Sequence, residues 1–226
     1  MWLVRWEPRM MAVALGVLAL ACGGDSGGGT GPCTPGVATQ IVKSSGDAQT
    51  WYLNNPLPAP LSVIARDANA CPVPGVMVAW TIQTGDGGVS AAQSTTNASG
   101  IASTVDSVGA VSPQVVRATA AGLATQDFTA TATAPPPSGA VDVRDNNFNP
   151  QDVVVQSGGP VTWTRTGLAS HNVTFGPGPT TPAKIADADL ATGTADARSR
   201  TLTAPGTYRY TCTNHQGMNG SVTVVH

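Results

Sequence analysis

The residues able to do chemistry are concentrated near the C-terminal end of this chain. Cys212, His215 and Met218 follow one another there at three-residue intervals, and His171 lies far upstream. A soft thiolate, two imidazoles and a weak axial thioether form the donor set that favours copper and can hold it in both oxidation states. Taken singly, each residue has a plainer use, the cysteine as a small buried hydrophobe, the histidine as a satisfied core residue and the methionine as a gap filler. Their joint spacing in a strand context carries the metal reading.

Stepping out from those residues, the flanking sequence supplies the elements that must hold them. Tyr208, Tyr210 and Cys212 alternate with Thr207, Arg209 and Thr211, so a strand here turns the two tyrosines and the cysteine toward a core. Gln216-Gly217 interrupts that strand. A short turn would bring His215 and Met218 back toward the sulfur before Ser221-Val222-Thr223-Val224 resumes the alternation. His171, Val173 and Phe175 share a face, which predicts a neighbouring strand presenting the imidazole from inside a sandwich.

From about residue 139 to the end, the chain resembles a cupredoxin, the type 1 blue-copper domain of the plastocyanin, amicyanin and pseudoazurin family. The resemblance rests on Gly206 through His215, then Met218, Gly220 and Val222, a stretch whose short Cys-x-x-His-x-x-Met loop is similar to that of amicyanin. Asp145-Asn146-Asn147-Phe148-Asn149-Pro150, Val161-Thr162-Trp163 and His171-Asn172-Val173 fit the family in order and character. It implies a copper ion with His171, Cys212 and His215 as equatorial ligands and Met218 as the long axial one. Asn172 would tie its strand to the cysteine segment and donate a backbone hydrogen bond to the sulfur. Asn214 departs from the family, which often has proline before the second histidine. It keeps a backbone N–H near the thiolate that would raise the reduction potential.

Four protein ligands leave none of the open positions that catalytic metals use. The chain is therefore expected to be no enzyme but an outer-sphere carrier of single electrons, with His215, whose edge reaches solvent in the family, as the electron port. Copper storage or delivery would use the same ligands. A surface interaction protein with an incidental copper domain is the other alternative.

Arg5 and Arg9 precede an apolar run from Met10 to Ala21, too short to span a bilayer but suited to a signal-peptide core, so 1–21 is predicted to be removed on export. Ala19-Leu20-Ala21-Cys22 resembles a bacterial lipobox. That resemblance implies lipidation of Cys22 and a protein anchored in the cell envelope, on the periplasmic side or the cell surface, while cleavage without a lipid is the alternative. Residues 22–32, rich in Gly and Ser, read as a flexible tether. With Cys22 given to lipid and Cys212 to copper, Cys33 and Cys71 are left to pair in an oxidising compartment, a connectivity that sequence alone does not prove.

Residues 33–134 carry short β-rich stretches at Leu61 to Arg66, Val76 to Gln83, Gly100 to Asp106, Gln114 to Ala120 and Gln126 to Thr133, the pattern of an antiparallel sandwich. Val76, Val78, Trp80 and Ile82 share a face predicted to be core. Val73 through Trp80, Gly85 through Val89, Thr95 through Gly100 and Val116 through Ala120 are similar to a bacterial Ig-like module of the invasin and intimin type, which implies a spacer or an adhesive unit. Residues 135–138 lie in a Pro-rich linker, and 139–226 form the second unit. The expected fold class is all-β, two β-sandwiches, an Ig-like one followed by a cupredoxin Greek key. Within the second, 176–197 is expected to be a long surface loop pinned by Ile185 and Leu190, with a helical turn around Ala183 to Leu190.

Eleven basic against 13 acidic residues give a formal net charge of −2, with no block that would suit nucleic acid. In 139–226 basic residues balance Asp, so a redox protein serving as donor or acceptor is expected to dock on apolar surface. His226 is given no role.

Overall fold

The computed structural model describes residues 33–192 and 198–226. The expected signal peptide at 1–21, the tether at 22–32 with the lipidation site Cys22, and part of the predicted loop lie outside the described residues. Residues 33–226 belong to one compact unit, inside which two separate apolar cores form.

The first core gathers Ile41, Leu61, Val63, Val78, Trp80, Val116 and Phe128. One sheet runs in the order Gln40–Ser45, Leu61–Arg66, Ile101–Thr104, and a second in the order Gln49–Tyr52, Gln126–Thr133, Gln114–Thr119, Met77–Thr84, Gln93–Thr95. Val78 and Trp80 are buried while Val76 and Ile82 pack half-buried at the margin of the same core. The single strand expected over Gly100 to Asp106 is in fact two, Ile101–Thr104 and Asp106–Val108. Val105 between them faces solvent, and the chain leaves the first sheet to pair with Asn55–Pro56 and Gly88–Val89. Cys33 and Cys71 are disulfide-bonded, with Cα atoms 5.7 Å apart, which ties the start of the described chain to the turn after Leu61–Arg66.

The second sandwich packs the sheet Phe148–Asn149, Gly139–Val143, Pro160–Arg165, Ser199–Thr201 against the sheet Asp152–Gln156, Asn219–Val225, Gly206–Thr211, Thr174–Phe175. Gly139–Val143 runs parallel to Pro160–Arg165, and Asp152–Gln156 parallel to Asn219–Val225, so both parallel pairs are made by strands distant in sequence. Between the layers Trp163 meets Phe175 and Tyr210 edge-on, at ring separations of 5.6 and 5.4 Å, and Phe148 meets Tyr210 at 4.8 Å. Such edge-to-face contacts are worth about 0.5–1.5 kcal/mol each beyond area burial. Tyr208, Tyr210 and Cys212 are buried, while Thr207, Arg209 and Thr211 are exposed.

The two sandwiches meet where the linker ends. Asn55, buried, accepts a 2.9 Å hydrogen bond from His226 N–H and donates a 3.3 Å bond to the His226 carbonyl. Trp51, Pro56, Pro205, Gly206 and Val225 line the groove beside them, and Gln156 N–H binds the Pro136 carbonyl at 2.8 Å.

Ile185 is fully buried, and its backbone exchanges hydrogen bonds of 3.0 and 2.9 Å with Val173. Leu190, on the one-and-a-half-turn helix Asp187–Thr192, is buried with it. These two apolar side chains fix the loop where the sequence places its anchors. Ile185→Ala is expected to destabilise the protein by about 2–5 kcal/mol, as cavity-forming core truncations do, and to slacken the Val173 segment. A urea midpoint indistinguishable from wild type would show that the loop does not depend on this anchor.

Candidate metal centre

Three loops meet at one end of the second sandwich, and each of their local shapes has a visible cause. Cys212 stands one residue past Gly206–Thr211, and its N–H donates to the Met218 carbonyl at 3.0 Å. His215 N–H reaches the Cys212 carbonyl and Met218 N–H the His215 carbonyl, both at 3.4 Å. Gly217 sits at φ +80°, a left-handed conformation that a Cβ disfavours, which lets the chain turn back into Asn219–Val225. The loop is thereby wound so that Cys212 and Met218 are buried and His215 is half-exposed.

His171 does not lie on a strand. It precedes Thr174–Phe175 by three residues, in an irregular segment that the Val173–Ile185 bridge fixes. Its side chain is nonetheless completely buried. The Sγ of Cys212 lies 3.8 Å from His171 Nδ1 and 3.6 Å from His215 Nδ1, although 41 residues separate Cys212 from His171. The two imidazole centroids are 4.6 Å apart. Among the described residues, His171, Cys212 and His215 are the one group of His, Cys, Asp and Glu able to hold a metal, with all their donor atoms within 4.8 Å of one another.

Those separations test whether an ion fits. Bonds of about 2.0 Å to nitrogen and about 2.3 Å to sulfur, at tetrahedral to trigonal angles, set N and S about 3.5–3.7 Å apart. The two sulfur-to-nitrogen distances match that spacing, so the thiol is placed to share one ion with each imidazole. Burial, reinforced by the nearby His215, holds His171 below the ordinary imidazole value, against the pull of Asp145 in the other direction. Burial thus favours the neutral form of the ring, the form that ligates.

The surrounding polar groups are few and specific. The Asn172 amide donates to Thr213 Oγ1 at 2.9 Å and to Asn214 Oδ1 at 3.1 Å, while its carbonyl oxygen accepts from Thr213 N–H at 3.2 Å and from Thr174 Oγ1 at 2.9 Å. Its tie to the cysteine segment therefore runs through the side chain. Asn214 in turn donates to the Ser170 carbonyl at 3.1 Å, beside His171.

Two carboxylates complete the surroundings of His171, and neither role could be read from local sequence pattern. Asp187, from the loop, accepts His171 N–H at 2.8 Å and Arg165 Nη1 at 3.0 Å. Asp145 accepts Leu168 N–H at 2.6 Å and Ala169 N–H at 2.9 Å, and its Oδ1 lies 3.9 Å from His171 Nε2. The His171 N–H holds Asp187, and the Ala169 N–H holds Asp145, below the usual carboxylate range. Asp145 was legible only as part of a matching segment, and Asp187 as one acid in a polar loop.

The described family of copper binding proteins, plastocyanin/azurin family, matches residues 138–225. Amicyanin-alpha of Methylorubrum extorquens is 37% identical over 104 residues, which are 46% of this chain and 86% of that protein. Chloroplastic plastocyanin of Oryza sativa subsp. indica is 36% identical over 83 residues, 34% of this chain and 54% of that protein, so the chain spans about half the length of this relative. Among solved structures, oxidised plastocyanin from Dryopteris crassirhizoma is similar at 24% identity, covering 38% of this chain and 100% of that one with a TM-score of 0.30.

The ionisation of these groups sets a pH dependence for the metal-free protein. His171 is lower when folded than its unfolded value of about 6.5, so the unfolded chain binds more protons and stability is lost as pH falls through that value. Asp145 and Asp187 are also lower when folded, so the stability they contribute is present above about pH 3.9 and is lost as pH falls through their folded values. The urea midpoint of the metal-free protein should therefore drop between about pH 7 and about pH 5, and again in stronger acid. A flat profile across the first interval would contradict the burial argument for His171.

Proposed function

The chain belongs, through residues 138–225, to the plastocyanin/azurin family of copper-binding proteins, and on that premise we propose that it carries single electrons between redox proteins by outer-sphere transfer. Copper is its cofactor, and His171, Cys212 and His215 form the candidate site. The observation that carries the reading is the convergence of one thiol and two Nδ1 atoms at 3.6 and 3.8 Å, held from separate segments of a closed β-scaffold. In the reading proposed here Met218, buried in the same loop, would be the fourth residue to hold the ion.

Copper bound there would supply a one-electron couple between Cu(I) and Cu(II). The work of the chain is to hold its donors still. Tyr210 and Trp163 wedge the Cys212 strand against the opposite sheet, Asn172 clamps the His171 segment to Thr213 and Asn214, and Asp187 fixes the His171 backbone. Fixed donors serve both oxidation states with little rearrangement, which is the requirement for fast transfer. His215, half-exposed, would be the exit for the electron. Leu168, 94% exposed on the segment that leads into His171, would give an apolar contact for a donor or acceptor protein.

In the same reading, residues 1–21 direct export, Cys22 carries a lipid anchor in the cell envelope, and the first sandwich is an Ig-like spacer. The paired Cys33 and Cys71 support an oxidising compartment.

The full chain given Cu(II) is expected to develop an intense visible thiolate-to-copper band that Cys212→Ser abolishes, and to show a reversible one-electron wave whose midpoint falls in Asn214→Pro. A chain that exchanges copper readily but shows no reversible wave would instead be a storage or delivery protein. Cys22→Ser should shift the expressed protein from the membrane to the soluble fraction. Retention on the membrane would remove the lipid anchor from the reading.

A further inference from the structure

Among the described residues at the metal centre, the one buried polar atom without a hydrogen-bond partner is His171 Nε2. An imidazole that ligates through Nδ1 must carry its proton on Nε2. That N–H is a donor buried inside the protein, and leaving it unpaired is costly. The nearest acceptor is Asp145 Oδ1 at 3.9 Å, roughly an ångström beyond a hydrogen bond.

Asp145 is not placed there casually. Its Oδ1 is gripped by two successive backbone N–H groups, from Leu168 and Ala169. The approach is possible because residue 167 is glycine, since a Cβ there would collide with the Asp145 carboxylate and stand 2.7 Å from Asp145 N. The same few residues, 167 to 169, lead directly into His171. A slight tightening of this turn would therefore carry the imidazole and the carboxylate toward each other. Asp187, the other carboxylate at His171, is engaged with the backbone N–H and with Arg165, and so does not serve the ring.

We propose that Asp145 is the positioning residue for His171, accepting its Nε2 proton when the site is loaded, fixing the tautomer that exposes Nδ1, and biasing the centre toward its oxidised state. This rests on the copper reading above. A carboxylate partner makes an imidazole a stronger donor. Its negative charge, 3.9 Å from His171 Nε2, would also favour the oxidised site, which carries one more positive charge than the reduced site. Removing that charge should therefore raise the reduction potential.

The test uses the full chain and three variants. Asp145→Asn keeps an oxygen to cap Leu168 and Ala169 but loses the charge, Gly167→Ala keeps the charge but displaces the carboxylate, and Asp142→Asn removes a neighbouring exposed carboxylate as a control. In Asp145→Asn the midpoint potential is expected to rise and Cu(II) affinity to fall about tenfold, with a smaller shift in the same sense for Gly167→Ala and none for Asp142→Asn. Nitrogen-15 NMR of the metal-free protein is expected to find the His171 proton on Nε2 in wild type, and a mixture of tautomers in Asp145→Asn. Unchanged potential and affinity in Asp145→Asn, an equal shift from Asp142→Asn, or a metal-free wild type protonated on Nδ1 would each overturn the assignment. If wild type gives no thiolate-to-copper band, the function proposed above fails, while the tautomer measurement still decides the role of Asp145.

Discussion

The structure of the second sandwich is governed by one constraint, that an imidazole and a thiol must sit dry and in register at the end of an apolar core. Burying polar groups is costly unless they find partners, and here the partners are mainly one another. The His171 and Cys212 side chains reach each other at 3.8 Å, both almost wholly shielded from solvent. Everything around them serves that placement. The aromatic stack of Trp163, Phe175, Tyr210 and Phe148 sets the spacing of the two sheets, and the polar web of Asn172, Thr213 and Asn214 closes the top without adding a charge.

The metal centre also shows a division of labour between strand and loop. Cys212 inherits its direction from the pleat of Gly206–Thr211, so its position is as rigid as the sheet. His215 and Met218 take theirs from three backbone hydrogen bonds and one left-handed glycine. His171 depends on a bridge between Val173 and Ile185. The ligands thus differ in what would loosen them, and a disturbance at Ile185 reaches His171 before it reaches Cys212.

What could be read from sequence follows the range of the interactions. The alternation Tyr208, Tyr210, Cys212 encodes a face directly, because each residue in a strand reports its own side, and Gln126–Thr133 was visible for the same reason, while Leu61–Arg66, buried on both faces, stood out as a short apolar run. The strands Gln40–Ser45 and Gln49–Tyr52 were not, since QIVKSS and QTWY are too polar and too short to display a period. The break at Val105 was hidden because Gly100 to Asp106 alternates well enough to pass for one strand, while the change of sheet depends on pairing with Asn55–Pro56 and Gly88–Val89. Asp187 and Asp145 were beyond reach, since each acts on His171 across a fold that local pattern does not specify.

The bonds between Asn55 and His226 have a consequence for reach. The groove beside them is lined by Pro205 and Gly206, at the start of the strand whose other end leads to Cys212. Six strand residues at about 3.3 Å each put that seam about 20 Å from the sulfur. The first sandwich therefore sits at the opposite pole from His215, like a handle fixed to the far end of a tool. The loop that carries His215 contributes none of the residues that line this groove.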